Sequence, residues 1–386
     1  MSIASAGVTT PGWFRQLTWL TALLCLTVAV FGSFVRLSNA GLSCPDWPTC
    51  YGKATWPVHA HEIDAANAAF PEREVETDKA WREQLHRHLA ATLGLLVLIL
   101  AAWTVRGDRV RRWLLLTTVL MVGFAIPLYM REEYLLASVL AAAGEALLLV
   151  AAFGFSPDRR SRLLLLTLAV VIFQALLGMW TVTWKLKPLV VMGHLLGGLT
   201  TLFLLSWLAW STRRPDPLAM RPHTGPGVVL GVLAVLILQI ALGGWVSSNY
   251  AALACPQFPQ CNNDQFFPPT DFREGFVLWR GIGVDYEGGV LDPDARTAIH
   301  LSHRLGALIA GLALLWLGLR LLRDRALRIG GILLLGLTAS QISLGIANVW
   351  WSLPLAVATA HNAGAALLVM AFAWLLSRQR PAQAMP

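Results

Sequence analysis

Four of the nine histidines share a setting that the other five lack. His86, His194, His303 and His361 each stand a few residues inside one end of a long apolar run. At about 1.5 Å per helical residue, that places all four at a similar depth, roughly 6–10 Å below the helix ends. A neutral imidazole is a good iron ligand. Two of them on facing helices can clamp an iron porphyrin whose flat faces rest on apolar side chains. Two pairs predict two haem sites. The bland alternative is a hydrogen-bonded histidine at a membrane interface, which suits any one of the four taken alone. A zinc or di-iron cluster fits less well, because carboxylates do not recur in the apolar runs. Gly193, Gly197 and Gly198 around His194, Gly306 after His303, and Ala360 and Gly364 around His361 would let a flat ring approach the backbone. Small residues also serve ordinary membrane helix packing.

The two presumptive sites are chemically unequal. Glu83 precedes His86 by three residues, whereas His300 precedes His303 by three. Residues at i and i+3 share a helix face, so Glu83 should look toward the first site. There it could move protons or stabilise a developing cation, or it could simply orient its neighbours by hydrogen bonding. Arg87 and Arg304 directly follow the site histidines. They read either as partners for porphyrin propionates or as side chains snorkelling to the interface. His88 points to another face, and His59, His61 and His223 lie in polar segments, where they read as solvated.

Four of the five cysteines form two pairs of identical spacing, Cys44 with Cys50 and Cys255 with Cys261. A disulfide in each pair is the natural reading on an oxidising side of a membrane. A redox-active dithiol and half of a zinc site are the competing readings, although zinc sites more commonly use shorter spacings. Cys25 lies inside the first apolar run and reads as packing.

The elements that must position these residues are membrane spans. The chain has 386 residues, of which 56% are hydrophobic and 13% charged, and its mean hydropathy is +0.58. Globular domains average about 25% charged residues. A soluble enzyme, a disordered chain and a nucleic-acid binder are thereby excluded. The net charge of +8 belongs instead to loop arginines. Runs of about 20 apolar residues, enough to cross roughly 30 Å of hydrocarbon, fall at 16–37, 82–105, 111–130, 134–155, 161–183, 188–211, 227–248, 297–321, 327–349 and 354–377. Pro127 and the Arg131-Glu132-Glu133 turn crowd the third and fourth together. The first run is long for a signal peptide and reads as a retained span. Arg106, Arg109, Arg111, Arg112, Arg159, Arg160, Arg162, Arg213, Arg214, Arg221, Arg320, Arg323, Arg325, Arg328, Arg378 and Arg380 gather on one side. Glu72, Glu74, Glu76, Asp78, Asp271, Glu274, Asp292 and Asp294 gather on the other. The positive-inside rule predicts cytoplasmic termini and extracytoplasmic cysteine loops at about 38–81 and 249–296.

The chain is also an internal repeat. Gly32-Ser33-Phe34-Val35 stands before the first cysteine pair as Gly243-Gly244-Trp245-Val246 stands before the second. His86-Arg87 answers His303-Arg304. Gln174 precedes His194 by the same interval as Gln341 precedes His361. Both copies start on the same side, so the expected architecture is all-α and polytopic. It comprises two parallel-topology four-helix bundles related by an axis along the membrane normal. The first copy, 1–211, carries a surplus of 50 residues between His86 and Gln174, read as an inserted helical hairpin at about 111–155. The second copy is 212–386. Glu145 sits within the hairpin without a repeat partner and reads as structural, with a proton path as the alternative.

These residues resemble a known family. The run Arg36-Leu37-Ser38-Asn39-Ala40-Gly41-Leu42-Ser43-Cys44-Pro45-Asp46-Trp47-Pro48-Thr49-Cys50-Tyr51-Gly52 and the E-x-x-H-R of Glu83 to Arg87 resemble haem A synthases. The Gln174–His194 and Gln341–His361 segments fit the same pattern. The resemblance implies an oxidoreductase of a bacterial cytoplasmic membrane that converts the C8 methyl of haem O to the formyl of haem A. It implies that His86 and His194 flank the substrate porphyrin, His303 and His361 hold a haem b, and Glu83 is the catalytic carboxylate. It also implies disulfides, structural or redox, in the two cysteine loops. A haem O synthase, cytochrome oxidase assembly factors, an electron donor and further copies of the chain are the implied partners. Members typically have eight spans, from which the hairpin departs. Two other classes stand beside this one, a di-haem b electron carrier and a quinone-linked thiol–disulfide oxidoreductase.

Overall fold

Apolar runs bounded by proline and aspartate produce helices with sharp starts. Pro188, Pro226 and Pro293 occupy the first helical position of their helices, where a missing N–H costs nothing. Asp108 and Asp158 accept hydrogen bonds from backbone N–H groups of the first turn, satisfying donors that would otherwise be orphaned. The computed structural model describes residues 10–154, 158–212 and 222–379. Among these residues there are helices but no strands, only two isolated bridges. Arg213, Arg214, Arg221 and Arg380, which help to set the predicted orientation, lie outside the described residues.

Among the described residues ten helices are long and apolar enough to cross a membrane, so the chain is a multi-pass membrane protein. They are α1 (Gly12–Leu37), α3 (Thr77–Val105), α4 (Arg109–Met130), α5 (Tyr134–Phe153), α6 (Arg159–Thr183), α7 (Pro188–Ser211), α8 (Pro226–Ser248), α10 (Pro293–Arg323), α11 (Arg328–Trp350) and α12 (Leu355–Arg378). Two shorter helices, α2 (Ala60–Ala69) and α9 (Phe272–Gly275), lie in the cysteine loops, where the sequence suggested only loop. Helix α3 starts at Thr77 and α10 at Pro293, several residues before the apolar runs begin. Their first turns are polar because they stand in the loops, and hydropathy alone does not register them. Pro127 does not end α4, which continues to Met130 despite the backbone hydrogen bond that a proline cannot donate.

Helices α1, α3, α6 and α7 pack in a ring, each against the next. Helices α8, α10, α11 and α12 form the equivalent ring. The rings join through α7 against α12, flanked by α1 against α12 and α7 against α8, as a pseudo-twofold axis requires. Helices α4 and α5 form a hairpin that leans on α6 through α5 and barely touches α3. The repeat reaches the backbone itself. Left-handed residues recur at Asn39 and Tyr250, and again at Lys185-Leu186 and Ser352-Leu353. The Ala40 N–H donates to Val35 O as the Ala251 N–H donates to Val246 O.

Small residues set the closest helix approach. A Cβ at Gly331 of α11 would lie 2.8 Å from the Gly318 carbonyl oxygen of α10. Backbone cannot yield as a side chain can, so Gly331→Val should separate the two helices and cost about 1–3 kcal/mol. A thermal melt of the solubilised protein should show a lower midpoint; an unchanged midpoint would contradict this packing.

Candidate functional site

The four histidines line one continuous, mostly apolar cavity of about 1620 Å³, above the roughly 300–1,000 Å³ of ordinary small-molecule pockets. In each bundle a histidine of the second ring helix leans on a glycine of the first. A Cβ at Gly32 would lie 2.7 Å from His86 Cε1, and one at Gly243 would lie 3.0 Å from His303 Cε1. The other two imidazoles lean likewise on Gly178 and Gly345. A side chain at Gly32 or Gly243 would displace the ring, one at Gly345 would crowd it, and Gly178 lies in ordinary contact with its histidine. The glycines are therefore seats for the imidazoles, whereas the sequence reading considers only the small residues beside His194, His303 and His361, as room for a flat ring.

The polar atoms of this cavity are incompletely used. The Nδ1 atoms of His86, His194 and His361 are buried without a hydrogen-bond partner. His303 differs, because the Gln239 side-chain nitrogen lies 3.0 Å from its Nδ1 and donates to its carbonyl at 3.1 Å. Gly306 is what makes room, since a Cβ there would sit 2.3 Å from Gln239 Oε1. The repeat-equivalent residues in the first bundle are Val28 and Leu89, which can make no such contact. Sequence reasoning missed Gln239, although a glutamine where the other copy has valine was the available signal. Two further glutamines enter at matched places. Gln341 Nε2 lies 3.4 Å from His361 Nε2, and the Gln174 amide lies over Gly197. Imidazoles with spare nitrogens, backed by glycine and facing an apolar space, fit the axial ligation of a porphyrin iron. Among the described residues no group of three or more His, Cys, Asp or Glu could hold a metal ion.

Both cysteine pairs are disulfides, Cys44–Cys50 and Cys255–Cys261, while Cys25 is free and buried. The arginines that follow the site histidines clamp these loops. Arg87 donates to the carbonyls of Asp46 and Thr49 at 2.8 and 2.6 Å and to that of Cys44 at 3.4 Å. Arg304 donates to Gln257, Gln260 and Cys255 at 2.7, 2.8 and 2.9 Å, the repeat-equivalent set. Five fixed guanidinium donors suit a ring of converging carbonyls.

Glu83 lines the cavity, and both its oxygens are engaged. One pairs with Arg87; the other accepts from the Cys44 N–H at 2.8 Å and the Ser43 hydroxyl at 3.1 Å. His300, at the equivalent place, sets its Nδ1 2.9 Å from the Ala251 carbonyl. Both residues thus brace their loop, with a charge in the first bundle only. His88 is exposed at the rim of the cavity. Glu145 carries a buried, unpartnered Oε2 and does not line the cavity.

The second cysteine loop also crosses onto the first bundle. Glu287 pairs with Arg73 at 2.9 Å, and the Tyr286 N–H donates to Lys185 O at 3.1 Å. Tyr286 is buried among Leu42, Val182 and Leu186.

The family described as "COX15-CtaA: Cytochrome oxidase assembly protein" matches residues 15–126 and 134–373. The chain belongs to this family. The match takes in both hairpin helices apart from 127–133, so the hairpin is not foreign to the family. A protein of Shewanella oneidensis named "Heme A synthase" is 39% identical over 360 residues, covering 92% of this chain and 94% of the relative. One of the same name from Sphingopyxis alaskensis is 29% identical over 388 residues, covering 97% and 94%. A third, from Erythrobacter litoralis, is 25% identical, covering 92% and 94%.

The clamp generates a prediction about the disulfides. Access governs how fast a thiolate reaches a disulfide sulfur, and Arg304 holds its loop closed. Arg304→Ala should make Cys255–Cys261 reduce several-fold faster under dithiothreitol, with Cys44–Cys50 unchanged. Mass spectrometry of alkylated peptides reads both bonds, and identical rates in variant and wild type would contradict the clamp.

Proposed function

We propose that this chain is a haem A synthase, an oxidoreductase that takes the C8 methyl of haem O through an alcohol to the formyl group of haem A for terminal oxidases. The observation that carries the reading is the four-histidine cavity, built as two repeat-related pairs, in a chain of the matched family. Relatives named for this activity align over nearly the whole chain.

The first half, 1–211, takes the substrate porphyrin between His86 and His194, and the second half, 212–386, takes a haem b between His303 and His361. Haem b, when bound, supplies a one-electron route to the substrate site. The Gln239 amide beside His303 Nδ1 supports a fixed ring and hence a resident group in the second half, with the Nδ1–H of a ligating His303 donating to the amide oxygen once the Gln239 amide is turned over. In the first half neither histidine has a partner at Nδ1, whereas in the second half one of the two does, which suits an exchanging occupant in the first. Glu83 holds a negative charge at the wall of the first site only, placed to stabilise positive charge developing at the methyl carbon or to receive its proton. A di-haem carrier would have no use for that charge in one site alone. The arginine-rich ends face the cytoplasm of a bacterium and the disulfide loops face outside. An electron donor and the haem O supplier are the partners this chemistry requires.

Membranes containing the protein together with a haem O supply should accumulate haem A on extraction and chromatography; persistent haem O would contradict the reading. Glu83→Gln should lower product formation about 100-fold, within the range for a general acid–base group, while bound haem b keeps its spectrum. Wild-type turnover in that variant would remove Glu83 from the mechanism.

A further inference from the structure

The seam between the two bundles holds a cation that neither histidine pair uses. Arg36 closes the last turn of α1, and Ser247 occupies the repeat-equivalent place on α8. Arg36 Nη2 donates across the seam to the Ser247 carbonyl at 2.6 Å. Its guanidinium lies 4.2 Å from the centroid of the Tyr250 ring, an arrangement that favours a cation. Arg36, Ser247 and Tyr250 all line the same cavity as the four histidines.

Two polar atoms at this seam are unspent. Arg36 Nε and the Tyr250 hydroxyl are both buried, and neither makes a hydrogen bond. Burying such groups unpaired is costly, most of all on a charged side chain. Three arginines line the cavity: Arg36, Arg87 and Arg304. Arg87 and Arg304 are consumed by loop carbonyls. Arg36 alone of the three keeps a buried N–H with no partner. Lys187 is also buried without a hydrogen-bond partner, but it lies against the Trp279 ring at 3.2 Å and does not line the cavity. A guanidinium offers only donors, and a phenol can add one more, so their complement is an anion with two or more acceptors. A sulfonate or phosphate would fit by charge. The cavity, however, is apolar and shaped by histidine pairs, which points to a carboxylate carried on a flat apolar body.

We propose that Arg36 and Tyr250 form a carboxylate subsite at the seam that receives a propionate of a porphyrin bound in this cavity. The proposal rests on the porphyrin reading given above. Because the repeat-equivalents are Ser247 and Asn39, the subsite exists once and sits between the two bundles. The carboxylate comes either from the group held by His303 and His361 or from the substrate held by His86 and His194.

The test uses the full chain, purified in detergent and loaded with haem, with haem retention and equilibrium redox titration as readouts. Arg36→Gln should weaken haem retention about tenfold, the scale of one charge-assisted hydrogen bond, and lower the midpoint potential by removing a positive charge. Arg36→Lys should restore the potential, since charge is kept. Tyr250→Phe should shift retention in the same direction by less, with the Arg36–Ser247 bond intact. Repeating the measurement in His86→Ala separates the sources. An effect that survives there assigns the carboxylate to the second bundle, and one that disappears assigns it to the first. Variants indistinguishable from a haem-loaded wild type overturn the subsite alone. Equal losses in Arg36→Gln and Arg36→Lys, with Tyr250→Phe silent, also overturn it, by leaving Arg36 a structural bridge. A wild-type chain that takes up no haem overturns the porphyrin reading and the subsite together.

Discussion

A guanidinium one residue beyond a site histidine is the interaction on which one end of this molecule depends. Arg87 and Arg304 each gather three carbonyls of a disulfide loop. Each thereby ties that loop to the helical turn that carries the histidine. The disulfide closes the loop covalently, and the arginine fixes it in place. Without the arginine, several carbonyls would face an apolar cavity unpaired, which costs free energy wherever water is scarce. The histidine at the preceding position inherits the rigidity of the whole assembly. Precision of this kind is what ligand positioning needs, and here a single helix turn provides it.

The same economy of polar groups explains the cavity. In a bilayer, polar side chains persist where they have partners or a function. The glutamines, the histidines and Arg36 concentrate on one interior space while the lipid-facing helix surfaces stay apolar. Glycines back the imidazoles on the facing helices. Duplication then supplied two such sites, and divergence made them unequal in two ways. Glu83 puts a charge in the first, and Gln239 with Gly306 stiffens a histidine in the second. On the proposed function, the half with the charge takes the substrate and the half with the stiffened ligand takes a resident group.

Much of this was legible before any coordinates. Hydropathy located the ten spans because bilayer thickness demands a length, and repeat arithmetic paired the histidines and isolated the hairpin. Polar helix starts such as Thr77–Arg82 and the short α2 escaped, since helices outside the membrane have no such length rule. The loop contacts of Arg87 and Arg304 escaped for a physical reason. Sequence places an arginine near the interface, but only folding reveals that the loop returns its carbonyls to that arginine. Gln239 was hidden for a similar reason, because its partner lies 64 residues away on another helix. The contact between Arg73 and Glu287 spans 214 residues and joins the two loops, a relation no local pattern encodes.

The central claim is that two repeated bundles each clamp one porphyrin through a histidine pair. It is tested most directly by counting haem per chain in the purified, haem-loaded protein and in His86→Ala, His303→Ala and the double variant. The account predicts two haems in the wild type, one in each single variant and none in the double. In His303→Ala the group left behind should be the substrate-site porphyrin. One haem in the wild type that vanishes with either single substitution would contradict it, because the four histidines would then serve a single site.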